Sequence, residues 1–348
     1  MNPLIFTILL FGLALGTSIT FTSSHWLLAW MGLEINTLAI IPLMTHSHHP
    51  RAVEATTKYF LAQATAAAML LFASISNAWL MGQWDIQQMS HPLPTTLFFL
   101  ALALKIGLAP LHTWMPEVLQ GLDLMTGLIM STWQKLAPFC LLMQIQPTNG
   151  LILVFLGLLS ILVGGWGGLN QTQLRKILAY SSIAHLGWMT LILCFFPPLT
   201  LLTLLMYFIM TSSLFLSFKY INSFNISALA ISWSKAPALT AIVPLILLSL
   251  GGLPPLTGFL PKWLILQELA KQDLALIATL AALSALLSLY FYLRLSYAMT
   301  LTISPSTSMM TTSWRLKNNQ LSMPLALSAS GAMLLLPLTP TILMLFMA

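Results

Sequence analysis

Four charged side chains stand inside long apolar stretches of the sequence: Glu34, Lys105, Lys135 and Lys262. An ionised group at the centre of a bilayer costs at least ~2.5–3.5 kcal/mol, so a residue of this kind usually marks an ion or proton path. Burial disfavours the charged form of a lysine, and a nearby carboxylate favours it again. A lysine whose carboxylate partner can approach and withdraw therefore has a switchable proton affinity. This pattern predicts a proton relay.

Two histidines, His112 and His185, also lie in apolar stretches. They are candidate links between the lysines, because imidazole titrates near neutral pH. A neutral histidine that is only hydrogen-bonded within a helix bundle explains them as well. A structural interpretation also exists for the charges, in which Glu34 and Lys105 form an ion pair between two helices and Lys262 extends its amine to the membrane surface. Buried ion pairs are weak indicators of stability, and the residues alone leave both interpretations open.

The composition requires these residues to be positioned by membrane-spanning helices. The chain is 58% hydrophobic and 6% charged, with a mean hydropathy of +0.90, whereas soluble domains carry about a quarter charged residues. We therefore expect an all-α polytopic membrane protein without a soluble catalytic domain. Cys140 and Cys194 both lie in apolar runs, so the chain alone cannot build a disulfide framework or an iron–sulfur site. The net charge of +6 falls in short loops, which indicates topology rather than nucleic-acid binding.

Apolar runs separated by polar breaks predict about eleven transmembrane helices. Their ranges are 3–21, 25–44, 56–81, 93–121, 123–145, 151–169, 174–196, 199–219, 239–270, 274–303 and 322–347. Proline and glycine interrupt the fourth and the ninth, and Pro138 predicts a kink in the fifth. Loosened backbone is tolerated in a membrane only where protein or a wet cavity covers it. Two interrupted spans in corresponding positions are typical of a transporter's ion path.

The two interrupted spans are related in sequence. Residues 107–116 align without a gap on residues 252–261, at an offset of 145, with one glycine and two prolines among five identical positions. We therefore expect one membrane domain over residues 1–348, built from two half-repeats. The expected parts are a first half-repeat at 1–147 with the broken helix 93–121, an inverted half-repeat at 148–303 with the broken helix 239–270, and a loop with a C-terminal helix at 304–348.

The charges in the loops predict the orientation. Positive residues concentrate in one set of alternate loops, and the other set holds only Lys271. The first set comprises Arg51, Lys58, Arg175, Lys176, Lys219, Lys235, Arg315 and Lys317. By the positive-inside rule, this set and the N-terminus face the compartment of synthesis. The fourth and ninth spans then cross the membrane in opposite senses, which predicts an inverted-topology repeat.

Other motifs are weaker candidates for chemistry. His46, His48 and His49 are close together, but histidines in a loop without a cysteine are more often polar surface residues than metal ligands. Arg294 lies off-centre in its span and is expected to extend its side chain to the interface. Residues 164–168 read GGWGG inside an apolar span, which predicts close helix packing rather than dinucleotide binding.

Four motifs resemble the antiporter-like membrane subunits of respiratory complex I. Glu34 lies in MGLEIN, Lys105 precedes GLAPLHTWMPE, Lys135 lies in STWQKLAP, and Lys262 lies in GLPPLTGFLPKW. The resemblance covers essentially the whole chain. It implies proton translocation coupled at a distance to NADH oxidation and ubiquinone reduction in other subunits. It also implies Glu34 and Lys105 as the paired site, Lys135 as the central relay and Lys262 as the exit-side lysine.

The resemblance further implies the surroundings of the chain. No cofactor and no metal are expected in the chain itself, whereas NADH, FMN, iron–sulfur clusters and ubiquinone are expected in partner subunits. The expected partners are neighbouring antiporter-like and small membrane subunits and the lipid bilayer, with cardiolipin as a candidate lipid and without nucleic acid. The expected location is the mitochondrial inner membrane, with the positive loops and the N-terminus on the matrix side and the C-terminus on the intermembrane-space side.

Two features of the N-terminal end give further expectations. No targeting segment precedes the first span, which suggests synthesis inside the organelle. Bacterial members of the family carry three additional N-terminal helices, so we expect a partner to cover the flank of the first helix. Two alternative functions remain open, namely a free-standing cation/proton antiporter with the same fold and an inert scaffold for neighbouring subunits.

Overall fold

The computed structural model describes residues 3–89, 91–145, 150–234, 236–301 and 322–347. Within these ranges the chain forms helices and turns, and the only β-type pairing is two isolated bridges. The chain divides into two compact units, which are unit 1 (Met1–Gly157) and unit 2 (Leu158–Ala348). The prediction of an all-α chain is therefore confirmed for the described residues.

The described helices are numbered in chain order. Those that begin in unit 1 are α1 (Pro3–Thr22), α2 (Trp26–Met44), α3 (Pro50–Met81), α4 (Pro92–Ile106), α5 (Trp114–Gly121), α6 (Leu124–Ser131), α7 (Trp133–Gln144) and α8 (Leu151–Gly168), of which α8 continues into unit 2. Those of unit 2 are α9 (Leu174–Leu193), α10 (Pro197–Ile221), α11 (Ile226–Ala230), α12 (Pro237–Gly251), α13 (Phe259–Lys271), α14 (Ala275–Thr300), α15 (Ser322–Leu334) and α16 (Thr339–Met347).

Seven of the described helices are long and apolar enough to cross a membrane, and an eighth span results if α15 and α16 are taken together across their 70° bend. Two shorter apolar helices, α4 and α12, end at the predicted interruptions. The polytopic membrane class is thus confirmed. The count of eleven additionally requires α4–α5, α6–α7 and α12–α13 to count as one span each, and it stays a prediction. The loop at 304–321 with Arg315 and Lys317, and also Lys235, lies outside the described residues.

Both predicted interruptions are present, and they end their helices in the same way. Gly107 caps α4 at φ 86° and Gly252 caps α12 at φ 83°, a conformation that costs a residue with a Cβ atom about 1–2 kcal/mol. The N–H of Gly107 donates to the Ala103 carbonyl, and the N–H of Gly252 donates to that of Leu248. The helix limits on both sides of the two interruptions also differ by the offset of 145. We call residues 107–113 break 1 and residues 252–258 break 2; each contains one cis bond before a proline.

The predicted fifth span is interrupted at Thr132, where the sequence analysis expected no interruption. The helix stops at Thr132, whereas α7 continues through Pro138. The Ser131 and Thr132 hydroxyls and the Thr132 N–H all donate to the Leu128 carbonyl. Hydroxyl groups that bond back to the preceding turn in this way compete with the regular ladder. The sequence did not predict this interruption, and the kink expected at Pro138, which lies inside α7, stays a prediction.

Close packing in unit 2 depends on the glycines of α8. A Cβ atom on Gly164 would lie 2.7 Å from the backbone nitrogen of Ala184 on α9, and one on Gly168 would lie 2.8 Å from the Phe291 ring on α14. This confirms the packing interpretation of the GGWGG run. Arg294 donates to the Leu169 carbonyl just beyond the end of α8, so it stabilises a helix terminus.

Candidate functional site

Two of the predicted lysines lie beside helix interruptions in unit 1. Lys105 is 5% exposed and lies in the last turn of α4, two residues before Gly107. Lys135 is 2% exposed and lies in the first turn of α7, three residues after the interruption at Thr132. Both line one cavity whose space for water centres is ≈ 10 Å³, which is room for about one water molecule. Within the described residues, the Lys105 amine is buried without a hydrogen-bond partner.

The other walls of this cavity carry polar groups that the sequence analysis did not identify. Gln63 on α3 donates to the backbone carbonyl of Lys105 at 3.3 Å, and Gln134 on α7 donates to that of Asn36 on α2 at 3.2 Å. These amides tie four helices together in two pairs around the two lysines, α3 with α4 and α7 with α2. A glutamine inside an apolar helix is the sequence signal that could have located them, because its burial requires partners.

Glu34 lies close to this site without contacting Lys105. It is half-buried on α2, and its Oε2 accepts a hydrogen bond of 3.0 Å from the Thr37 hydroxyl, one turn further on. In the described part of the chain no ion pair within 4.0 Å joins Glu34 to Lys105. The carboxylate is near enough to interact electrostatically with Lys105 and with the Tyr59 hydroxyl. The electrostatic effect of Glu34 on Lys105 therefore acts without a direct ion pair between them.

Two side chains, one within break 1 and one directly after it, lie within hydrogen-bonding distance of backbone carbonyls. The last carbonyls of a helix have no intrahelical partner, and the Trp114 indole donates to the Leu104 carbonyl at 3.0 Å. His112 is half-buried, and its Nδ1 lies 3.2 Å from the Pro110 carbonyl. His112 is not among the residues that line the cavity of Lys105 and Lys135. Its predicted role as a link stays a prediction.

Unit 2 contains a corresponding site at break 2. The Lys262 amine, on the first turn of α13, donates to the Leu250 carbonyl at 3.1 Å and to the Gly251 carbonyl at 2.9 Å. These are the last two carbonyls of α12, where the helix dipole favours a cation. Lys262 lines a cavity with ≈ 20 Å³ for water centres together with His185, whose ring lies 5.6 Å from that of Tyr207. The structure thus brings Lys262 and His185 to one cavity.

The remaining charged and histidine residues have other functions. The Lys58 amine lies 2.7 Å from carboxylates of both Glu54 and Glu117 in an exposed cluster at the start of α3. His49 caps the start of α3 through its Nδ1, as His25 does for α2 and His91 for α4. Among the described residues no group of three ligands could hold a metal ion.

Comparison with known proteins places these sites in a family. Residues 23–288 match the model described as NADH:quinone oxidoreductase/Mrp antiporter, TM, and residues 289–343 match NADH dehydrogenase subunit 2 C-terminus. The chain is 73% identical to NADH-ubiquinone oxidoreductase chain 2 of Tetraodon nigroviridis, with 99% of both chains covered. It is 68% identical to the protein of that name from Oncorhynchus mykiss, with 98% of both covered.

Solved structures show the same relationship. A chain of respiratory complex I from Thermus thermophilus with bound aureothin matches with a TM-score of 0.81 and 31% identity, over 96% of this chain and 79% of that one. A chain of the Mrp complex from Dietzia sp. matches with a TM-score of 0.74 and 17% identity, over 95% and 73%, and supports the fold alone. The resemblance inferred from the four lysine and glutamate motifs is thereby confirmed. The chain belongs to the family of NADH:quinone oxidoreductase and Mrp antiporter transmembrane proteins.

Proposed function

We propose that this chain is an antiporter-like, proton-translocating membrane subunit of mitochondrial respiratory complex I. The observation that carries the proposal is that each unit holds a buried or half-buried lysine at a broken helix, facing a cavity of water size. A cation placed there is costly, and charges kept in a membrane at such a cost mark ion or proton pathways. The whole-length relatives named NADH-ubiquinone oxidoreductase chain 2 agree with this assignment.

The proposed roles follow the positions of the residues. Glu34 tunes Lys105 through space, Lys135 is the central relay, and Lys262 is the exit-side lysine. The cavity shared by Lys105 and Lys135 has room for about one water, which can carry a proton between the two amines. His185 serves as a link at Lys262 because both line one cavity. His112 is assigned a second link at break 1.

The proposed topology has eleven spans and an inverted-topology repeat of the half-repeats 1–147 and 148–303. The N-terminus and the positive loops face the matrix of the mitochondrial inner membrane, and the C-terminus faces the intermembrane space. NADH, FMN, iron–sulfur clusters and ubiquinone belong to partner subunits. The membrane partners are neighbouring antiporter-like and small subunits, and cardiolipin is a candidate lipid. In this arrangement the chain adds no redox step, and the free energy of electron transfer reaches it through the partners.

Purification distinguishes this function from the two alternatives. The chain is expected to purify only within a large assembly that oxidises NADH. Proton flux by the isolated chain in lipid vesicles would favour a free-standing cation/proton antiporter. Unchanged pumping by an assembly whose Lys105, Lys135 and Lys262 are all replaced by methionine would favour an inert scaffold.

Glu34→Gln tests the tuning of Lys105. The change keeps the shape of the side chain and removes the negative charge that favours the protonated amine. A lysine that releases its proton too readily cannot hold it against a membrane potential worth ~2.3 kcal/mol per charge per 100 mV. NADH-driven proton pumping should therefore fall in tightly coupled membranes while the assembly forms normally. Normal pumping in those membranes would remove Glu34 from the relay.

A further inference from the structure

Helix α15 contacts break 2 through a hydrogen bond. Thr257 is 1% exposed within the break, and its hydroxyl donates to the Ala332 carbonyl on α15. The two residues are 75 positions apart in sequence. The bond therefore joins break 2, which directly precedes the helix of Lys262, to a helix outside both expected half-repeats.

The Ala332 carbonyl is available because α15 ends there. The last four carbonyls of a helix have no intrahelical partner, and α15 ends at Leu334. The Gly331 carbonyl accepts from the Leu335 N–H. Pro337 has no N–H and its ring disfavours continuation of the α-helix; residues Leu336–Leu338 form a 3₁₀ turn instead, and among the described residues no backbone N–H donates to the Ala332 carbonyl. The carbonyl is thus left for a donor from elsewhere, and Thr257 supplies it.

Small residues let the backbone of α15 approach this closely. Ala329 is 5% exposed and Ala332 is 1% exposed. A Cβ atom on Gly331 would lie 3.1 Å from the Ile209 side chain on α10. Small residues at a helix contact bring backbones together in membranes and bring polar backbone groups within reach. A side chain at Gly331 would press on α10, and a larger one at Ala332 would need space at a buried position, so either change would displace α15.

Thr257 lies where the chain folds back towards α12. The next residue, Gly258, packs so tightly on the Ser249 carbonyl that a Cβ atom has no room there. Lys262 follows one turn later and reaches the Leu250 and Gly251 carbonyls. The Thr257 bond fixes the outer side of this turn, and the contact of Gly258 fixes its inner side. Together they set the distance from the Lys262 amine to the end of α12.

We propose that Thr257 is a positioning residue for Lys262, and that α15 is thereby part of the proton-transfer site of unit 2. The inference rests on the proposed function of Lys262. Without the bond, the turn at 253–258 can move away from α15, and the amine no longer stays between the α12 carbonyls and the cavity of His185. The proton-transfer geometry at break 2 then depends on a helix that contributes no titratable group to it.

The test compares Thr257→Val, which removes the donor at nearly constant volume, with Thr257→Ser, which keeps it. Thr240→Val is the matched control, because Thr240 is equally buried on α12 and, among the described residues, its hydroxyl bonds to Pro237 alone, in its own first turn. Assembled complex in tightly coupled vesicles is assayed for its amount, its NADH-driven proton pumping and the pH profile of pumping. We expect Thr257→Val to lower pumping about fivefold, which corresponds to about 1 kcal/mol. Its pH profile should shift, while the serine variant and the control stay within about 1.5-fold of the wild type.

A second variant keeps the test decisive if Thr257→Val does not assemble. Pro337→Ala allows α15 to continue, so that the Leu336 N–H competes with Thr257 for the Ala332 carbonyl. It should reproduce the loss of pumping, and adding Thr257→Val should not deepen it. Pumping and pH profiles equal to those of the control, or a serine variant as impaired as the valine variant, would overturn the proposal. If Lys262→Met also leaves pumping unchanged, the proposed function fails as well; if it abolishes pumping, only the role of Thr257 is lost.

Discussion

Break 1 and break 2 have the same backbone and different donors. Each ends a 15-residue helix at a left-handed glycine and resumes seven residues after that glycine. At break 1 the Leu104 carbonyl is bound by the Trp114 indole, and the Lys105 carbonyl is bound by the Gln63 amide. At break 2 the Leu250 and Gly251 carbonyls are bound by the Lys262 amine itself.

The difference follows from two substitutions between the copies. Trp114 corresponds to Phe259, which has no donor, and Glu117 corresponds to Lys262 at the same offset. Glu117 is exposed and binds Lys58, whereas Lys262 turns inwards and donates to the carbonyl of Leu250, which corresponds to the Lys105 carbonyl bound by Gln63. The lysine reaches across break 2 to the end of α12 and supplies hydrogen bonds that the phenylalanine ring cannot.

The comparison indicates how a titrating lysine relates to the backbone that holds it. Lys105 can gain or lose its proton while Trp114 and Gln63 keep break 1 in place. Lys262 is both the titrating group and a donor to the end of α12, so its proton state and the geometry of break 2 are linked. In unit 1 the backbone of break 1 is thus held by residues other than the titrating lysine. In unit 2 the titrating lysine itself holds the end of α12.

The largest difference between the two breaks is expected in the stability of the variants in which Lys262 or Lys105 is replaced by methionine. Lys262→Met leaves two carbonyls without their donor, at about 1–3 kcal/mol for each group that stays unsatisfied. Lys105→Met removes a buried amine that has no hydrogen-bond partner among the described residues, so it should not lower stability. Native gel electrophoresis after graded heating of the purified complex measures the difference. Equal losses of the subunit in the two variants would contradict the distinction.

Alanine at the two cap glycines should have the next largest effect. Both changes place a Cβ atom at positive φ, at about 1–2 kcal/mol each. At Gly252 that atom would lie 2.9 Å from Cδ of Lys262, whereas at Gly107 the nearest atom is 3.4 Å away, on the Trp114 ring. Gly252→Ala should therefore displace Lys262 and reduce pumping as well as heat resistance, while Gly107→Ala reduces heat resistance alone. Graded heating and the proton-pumping assay measure both effects. A pumping loss in Gly107→Ala but not in Gly252→Ala would contradict the prediction.

Removing the indole N–H of Trp114, directly after break 1, should have the smallest effect of these changes. Trp114→Phe makes unit 1 resemble unit 2 at this position and leaves the Leu104 carbonyl without its donor, at about 1 kcal/mol. Trp166→Phe is the control, because Trp166 is 73% exposed on α8. Hydrogen exchange at the end of α4 should accelerate about fivefold in the first variant and stay unchanged in the second. No acceleration in either would show that the indole does not stabilise break 1.

The interruptions and the buried lysines could be predicted because they depend on local chemistry. Glycine and proline limit the backbone wherever they occur, and a charge inside an apolar run is visible without a structure. The further interruption at Thr132 could not be predicted, because serine and threonine hydroxyls also bond back to the preceding turn inside helices that continue, as those of Ser181 and Ser182 do.

The donors at each break could not be predicted because they come from elsewhere in the fold. Gln63 reaches Lys105 across 42 residues and Thr257 reaches Ala332 across 75. The separation between Glu34 and Lys105 depends likewise on how α2 packs against α4, which sequence spacing does not determine. Similarly, His49 caps a helix, and only the chain geometry distinguishes this from a role in a metal site.

Proton pumping by the assembled complex with Lys135→Met tests the central claim most directly. Lys135 is 2% exposed beside the cavity of Lys105, and methionine keeps its length while removing the proton-carrying amine. Lys271→Gln is the control, because Lys271 is exposed and paired with Glu268. We predict that Lys135→Met assembles normally and loses most NADH-driven proton uptake into tightly coupled vesicles, while the control pumps as the wild type does. Wild-type pumping by Lys135→Met would contradict the account and leave the chain a scaffold.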